Sequence, residues 1–592
     1  MTSTSARPQG LLPRTDTDAW WRDAVIYQIY PRSFADANGD GIGDIQGIRE
    51  HIDHLVALGV DAVWLSPFYP SPQVDAGYDV SDYFDLAPEY GSLQDLDALI
   101  ADLHEAGIRV IIDLVPNHSS DQHAWFRAAL EAGPGSPERD RYIFRHSDDG
   151  APNNWGSLFG GPAWQPVEPL TGRSEDRGWY YLHLFAAEQP DFNWSNADVH
   201  EHFRTFLRFW VERGIEGFRV DVAHGLVKAE GLPDDDLGPD RWNVAGSPDE
   251  DAAHEKLPDV GPAFNQPGVH DIYREWRRVL DEVGEDILLV AEAWVPTEAD
   301  AAQYVRADEM SQAFNFPFLG AGWDADALRR VIDVSLSEYG AVGAPATWVL
   351  SNHDVVRHAS RLAYPADMDT DPGIGPKDPQ PDAELGLARA RAATLFMLGL
   401  PGSAYLYQGE ELGLPEHTTM EDEARQDPLW ERTNHLVPGR DGCRVPLPWT
   451  RDGASYGYNA TGRTWLPQPE GWGEYSPQAQ EGREDSTLTL YRRAIALRRE
   501  LRLGRGSVEW LDSDPGVLHL RNGITAIVLN TTEQPVTIKG AGRPLITSWR
   551  RSETDGSTAA NAVEAAGAVV VPPNGACWLD ASAGGNDGGD PR

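Results

Sequence analysis

The stretch GIEGFRVDVAHG, residues 214–225, decides how the rest of the chain is read. Phe218, Val220 and Val222 alternate with Arg219, Asp221 and Ala223, the period-two pattern of a short strand. Arg219 and Asp221 are two residues apart, so their side chains leave the same face. A guanidinium beside a carboxyl favours the ionised form that a nucleophilic carboxylate needs. On its own the pair is equally well an ordinary ion pair at a strand end. The flanking sequence discriminates between the two.

Upstream, residues 24–31 (AVIYQIYP), 60–67 (VDAVWLSP) and 108–118 (IRVIIDLVPNH) are nearly continuous apolar runs. Residues 45–59 and 95–107 carry helical spacing between them. Apolar strands alternating with amphipathic helices imply parallel strands buried on both faces, in a barrel or an open sheet. No glycine-rich phosphate loop follows an early strand, which removes the usual nucleotide reading. The alternation resumes with a helix at 200–214, the opening strand, a helix at 269–283 and a strand at 286–294. Short strands are then expected at 313–318, 346–354 and 402–411. Eight strand–helix units predict a (β/α)8 barrel with insertions.

Two regions break the pattern. Residues 119–191 are rich in Trp, Pro, Gly and Asp and too long for an ordinary loop, so they predict an inserted domain. After about residue 505 the chain becomes β-rich with turn signals, predicting a C-terminal antiparallel domain over 506–581. The barrel then spans 19–118 and 192–505, after a flexible arm at 1–18 and before a disordered tail at 582–592. An acidic, Pro- and Gly-rich loop is expected over about 230–268.

Composition narrows the function. The 592 residues include 93 Asp and Glu against 49 Lys and Arg, a formal charge of −44 that disfavours nucleic acid and anionic membranes as partners. Two cysteines far apart suggest no disulfide framework. Neither a signal peptide nor an apolar run long enough to span a bilayer is found, so a cytoplasmic enzyme is expected, a monomer or small homo-oligomer. In DANGDGIGD, residues 36–44, Asp36, Asn38, Asp40 and Asp44 alternate with small residues. Such spacing gathers oxygens as a hard divalent cation requires, although the twelfth-position glutamate of an EF-hand is missing.

At the expected C-terminal strand ends stand Asp113 to His118, Asp221, Glu292, and His353 with Asp354. Three carboxylates from three strands at one barrel mouth suit glycoside hydrolysis with retention: one attacks the anomeric carbon, one protonates the leaving oxygen, and a third orients the sugar. Such a general acid must be protonated near neutral pH, and burial beside other carboxylates provides for that.

These motifs carry a resemblance. DLVPNH, GFRVDV, AEAW and SNHD in that order, with VWLSPFYPSP, DAGYDVSDY, QPDFNW and GCRVPLPW, resemble the α-amylase family of glycoside hydrolases, in its oligo-1,6-glucosidase and α-glucosidase branch. The resemblance covers about residues 20–580. It implies that Asp221 is the nucleophile, Glu292 the general acid/base and Asp354 the substrate-distorting acid. His118, Arg219 and His353 match donor-sugar positions, and Asp75, Tyr78 and Arg444 match the trio that closes the pocket around a terminal glucose. Gln189 opens the branch marker QPDFNW. Tyr78, Phe159 and Phe185 can stack on sugar faces. Asp36, Asn38, Asp40, Ile42 by its carbonyl, and Asp44 match a structural Ca2+ or Mg2+ loop. No organic cofactor is implied. Asn117 matches a position that reaches calcium in true α-amylases. Val222 matches a position that accompanies α-1,6 linkage. The expected substrates are short α-glucosides, cleaved from the non-reducing end. The alternative within the family is a glucosyltransferase or isomerase of sucrose isomerase or trehalose synthase type. A non-catalytic relative of transporter heavy chains would have a membrane span and lack the acids.

Overall fold

The computed structural model describes residues 19–236, 261–549 and 568–581, except positions 285, 366, 367, 369, 371, 372 and 541. The arm at 1–18, the centre of the acidic loop and the tail at 582–592 lie outside the described residues.

Eight parallel strands form the central sheet: β1 (Val25–Ile29), β2 (Ala62–Leu65), β3 (Arg109–Leu114), β4 (Gly217–Val220), β5 (Leu288–Ala291), β6 (Gln312–Ala313), β7 (Thr347–Val349) and β8 (Ser403–Tyr407). Each pairs with its successor except β6, and β8 pairs back onto β1. The seam between β6 and β7 is bridged by Asn315 N donating to Thr347 O at 3.3 Å, so the barrel is nearly closed. Every residue of β1, β2, β4, β5 and β8 is buried, as the continuous apolar runs require. Ile26, Trp64, Ile111, Val290, Val349 and Tyr405 belong to one cluster contributed by six of the strands, the packed interior of a barrel. The opening stretch enters this sheet through Gly217. A Cβ there would lie 2.9 Å from Leu288 Cβ and 3.0 Å from Ile111 Cγ1, so only glycine lets the three strands approach.

Two local expectations fail. Residues 313–318 are not a strand: β6 ends at Ala313, and Phe316–Gly320 is a helix. Asn315 caps it by accepting from Phe318 N, and Pro317 occupies its first turn, a combination that starts helices. The helix expected over 45–59 is two short helices, Ile45–Arg49 and Ile52–Leu58, parted at His51.

The insert between β3 and β4 holds a three-stranded antiparallel sheet of Phe144–His146, Trp179–Leu182 and Trp164–Pro166. Its end returns to the barrel through a bridge between His118 and Asp191. Past the barrel, five antiparallel strands between Glu509 and Asp580 form a further sheet, beside the pair Val536–Lys539 and Ala568–Val571. This region is fixed to the barrel helix Ala383–Leu398 by Trp578 Nε1 donating to Leu395 O at 2.9 Å. No helix among the described residues is long and apolar enough to cross a membrane.

Candidate active site

The acids stand where strands end. Asp221 directly follows β4 and Glu292 directly follows β5, while His353 and Asp354 lie just past β7. Arg219, within β4 and 2 % exposed, joins three carboxylates. Its Nη1 donates to Asp221 Oδ1 at 2.6 Å and to Asp113 Oδ1 at 2.7 Å, and its Nη2 lies 2.8 Å from Glu292 Oε2. The sequence pairs Arg219 with Asp221 alone; the structure divides it among three acids. Trp64 and Tyr78 flank the guanidinium, their ring centres 5.3 and 5.6 Å from it. Burial pushes the Asp221 carboxyl well above the ordinary range, and the charges of Glu292 and Asp113 add to this while Arg219 opposes it. Burial likewise pushes Asp113 up to about 6 against the pull of Arg219 and Trp64. One cation cannot keep three buried carboxylates ionised, so the cluster retains protons.

Glu292 is fixed by the backbone of the opening stretch. Val222 N donates to its Oε2 at 3.0 Å, and Ala223 N donates to its carbonyl at 2.8 Å. Val222 makes the first contact from the left-handed region, φ +45°, where a β-branched residue is an outlier.

Asp354 is gripped from the other side. Arg444 Nη2 donates to its Oδ1 at 2.8 Å and Arg440 Nη1 at 3.1 Å, while Arg444 Nε holds the His353 carbonyl at 2.7 Å. Burial works against the ionised form, but the neighbouring cations hold Asp354 well below the usual carboxylate range. Burial depresses His353 to about 3, so at neutral pH the two arginines do this work. The His353 ring stacks on Tyr78 at 5.4 Å, with Nε2 2.7 Å from the Tyr78 hydroxyl and Nδ1 2.7 Å from Gln28 Nε2.

The remaining residues form the outer wall. Gln189 Nε2 donates to Asp75 Oδ2 at 3.2 Å and lies 3.1 Å from His118 Nε2, whose ring is 5.0 Å from Phe185. Phe159 meets Phe185 edge-on at 5.5 Å. Asp75 is closed over by Arg440, whose Nη2 donates to Asp75 Oδ1 at 2.9 Å. Arg440 therefore spans Asp75 and Asp354, anchored by Nε on buried Asp427 at 2.6 Å, with Phe159 beneath it at 5.4 Å. Arg444 reaches Asp354 and not Asp75.

Residues 28–505 match the family model described as "Alpha amylase, catalytic domain". The chain belongs to the α-amylase family of glycoside hydrolases. It is 38% identical over 514 residues to a probable alpha-glucosidase of Rhizobium meliloti (strain 1021), covering 84% of this chain and 86% of that one. It is 34% identical over 514 residues to an oligo-1,6-glucosidase of Parageobacillus thermoglucosidasius, covering 81% and 84%. Among solved structures it is similar to XgtA, an alpha-glucosyl transfer enzyme, with a TM-score of 0.80 and 32% identity over 95% of this chain and 100% of that one.

Within this α-amylase-family barrel, three positions escaped the sequence reading. Arg440 stands two residues before the motif GCRVPLPW, which contains Arg444, and so falls outside it. Asp427 reaches the site chiefly through Arg440, and it also caps the helix Pro428–Arg432 by accepting from Leu429 N. Lys228, its side chain 4 % exposed, donates from Nζ to Asn117 Oδ1 at 2.8 Å, contacts Asp191 Oδ2 at 2.8 Å and also donates to the Gly225 carbonyl. Asn117 thus holds an ammonium group in this chain.

The loop at residues 36–44 is folded around its own side chains. Asp36 accepts from Gly39 N, Gly41 N and Asn459 Nδ2, and Asp44 accepts from Ala37 N, Asn38 N and Gly47 N. Asn38 and Asp40 accept from Asp40 N and Ile42 N at the surface. In this conformation no group of three or more His, Cys, Asp or Glu among the described residues is placed to hold a metal ion. The donor chemistry nonetheless fits a hard cation: all are oxygens, and Asp36 and Asp44 are two buried carboxylates on one turn.

Proposed function

We propose that this enzyme is a retaining, exo-acting α-glucosidase that releases α-glucose from the non-reducing end of short isomalto- and malto-oligosaccharides and of sucrose, with transglucosylation as a side activity. The observation that carries the reading is the placement of Asp221 and Glu292 on the two terminal nitrogens of one buried guanidinium. That placement fits the short carboxyl separation of retaining pairs, about 5–5.5 Å, better than the roughly 6.5–9.5 Å of inverting ones. Asp221 attacks the anomeric carbon as Glu292 gives its proton to the departing oxygen. Water then displaces Asp221 and returns the proton to Glu292, so two inversions leave the α-anomer. Asp354, ionised between Arg440 and Arg444, is available to the sugar hydroxyls. The wall of Asp75, Gln189 and Arg440 supports an exo mode, because it closes around one terminal sugar.

Glucosyl transfer is the second reading, favoured by the likeness to an alpha-glucosyl transfer enzyme. It differs only in whether water or a sugar takes the glucosyl group. We also infer that Asp36, Asn38, Asp40, the Ile42 carbonyl and Asp44 take up Ca2+ or Mg2+, which would tie the loop together and stand apart from the catalytic acids. Two buried free thiols, Cys443 and Cys577, support a reducing cytoplasm, and we take the protein to be a monomer or small homo-oligomer.

The test is NMR of freshly formed product together with the variant Asp221→Asn. α-Glucose must appear first, and Asp221→Asn must lose several kcal/mol of barrier stabilisation, on the order of a thousandfold or more in rate. β-Glucose as the first product, or near-normal activity in the variant, would sink the mechanism. Chromatography of products from maltose, isomaltose and sucrose separates hydrolysis from transfer.

A further inference from the structure

The third carboxylate on Arg219 has no place in the double displacement, yet it is the most deeply buried of the three. Asp113 lies in β3, is 0 % exposed, and takes the same guanidinium nitrogen as the nucleophile. Its Oδ2 accepts from Trp64 Nε1 at 2.8 Å, and the Tyr78 hydroxyl stands 3.5 Å away. Tyr69 donates to its backbone carbonyl at 2.5 Å. The titratable and charged groups facing it are therefore Arg219, Asp221, Glu292, Tyr78 and Tyr69, with His353 behind Tyr78.

We propose that Asp113 sets the alkaline limit of catalysis: ionised on Arg219, it is the neighbouring negative charge that keeps the working proton on the catalytic pair. The inference rests on Asp221 and Glu292 being that pair. The argument is a charge count. In the working state the pair carries one proton and one negative charge, which Arg219 balances. With Asp113 protonated the cluster is neutral; with Asp113 ionised it is singly negative. Losing the pair's proton would then add a further charge to a buried site that is already negative. The indole N–H of Trp64 favours the ionised form of Asp113, and burial disfavours it. An asparagine fills the same space but cannot carry the charge. Asp113 acts through Arg219 and the field it creates, so it is a positioning residue.

The test is the pH dependence of kcat/KM for glucose release from maltose and isomaltose, whose sugar leaving groups need protonation. Wild type, Trp64→Phe and Asp113→Asn are compared. The alkaline limb should fall in that order, by about two pH units in Asp113→Asn, as expected for one charge removed from about 5 Å away in a buried site at an effective permittivity near 20. Trp64→Phe keeps an aromatic ring under Arg219 and removes only the N–H, so its shift should be smaller. Should Asp113→Asn fail to fold, Trp64→Phe carries the test alone. An unmoved alkaline limb with a uniformly lower rate would show that Asp113 is merely structural and overturn the proposal. Absence of glucose release by wild type at every pH would instead overturn the α-glucosidase reading.

Discussion

Val222 shows how much one residue is asked to do. Its left-handed backbone points its N–H at Glu292, and its side chain packs in the cluster beneath the insert with Leu184 and Phe264. A Cβ on Gly225 would come within 2.7 Å of Val222 Cγ1, so the turn after Asp221 is built tightly around this valine. On the proposed mechanism, with Glu292 as acid/base, it stands on the side where the leaving sugar departs. Val222→Thr keeps the volume and replaces a methyl by a hydroxyl, which changes what the acceptor side can bond. The ratio of maltose to isomaltose kcat/KM should rise by roughly tenfold, about 1.4 kcal/mol of differential transition-state binding. An unchanged ratio would remove Val222 from linkage selection. The acids themselves were legible in the sequence because each follows a strand within a distinctive motif. Arg440, Asp427 and Lys228 were not, because their importance is created by contacts up to 365 residues away in the chain and leaves no local pattern.

At the scale of elements, strand order follows from apolar runs, and what was misread was short. β6 has two residues, and a capping Asn with a following Pro turned the rest of that run into a helix. An apolar run cannot by itself report where hydrogen bonding changes from sheet to helix. The loop at 36–44 makes a prediction of its own. A strap containing Asn459, Thr461 and Trp465 lies over it: Asn459 donates to Asp36, Thr461 Oγ1 to Gly39 O at 2.8 Å, and Trp465 N to Gly41 O at 3.0 Å. A cation bound there and not in the unfolded chain would raise the melting temperature by mass action. Chelation should therefore lower Tm while leaving kcat at low temperature intact. No change in Tm on chelation or on adding Ca2+ or Mg2+ would deny the loop an ion. Loss of activity in a chelated but folded enzyme would deny it a purely structural role.

Across the whole molecule, burial leaves titratable groups whose shifts oppose one another. Burial depresses His123 and His417 to about 4 and His202, His353 and His358 to about 3. The unfolded chain binds these protons near pH 6.5, so their contribution to stability is lost as pH falls below that value. Burial raises Asp79 and Asp113 to about 6, Glu416 to about 7 and Glu410 to about 8. For these acids the folded state binds protons more tightly. Their contribution is complete below the unfolded carboxylate values and is lost as pH rises through the folded ones. Between about pH 4.5 and 6.5 the two sets largely cancel, and stability should be nearly flat. Above about pH 6.5 the histidines fall silent while Glu416 and Glu410 still titrate, so stability should decline toward pH 8 and beyond. The rising self-repulsion of an acidic chain acts in the same direction, so the decline alone does not identify its cause. Glu410 does. Its Oε1 accepts from Tyr407 N at 3.0 Å, its Oε2 lies 3.5 Å from the Tyr491 hydroxyl, and the nearest imidazole, His358, is 4.0 Å away and neutral. Glutamine reproduces the protonated side chain in shape and keeps the acceptor for Tyr407. Glu410→Gln should thus match wild type in Tm at pH 5 and exceed it at pH 8.5 by a few degrees, the difference worth on the order of 1–3 kcal/mol. Scans at one fixed heating rate would read this even if unfolding is irreversible. Equal loss of Tm at both pH values would mean that Glu410 is ionised in the folded protein, contrary to what its burial requires.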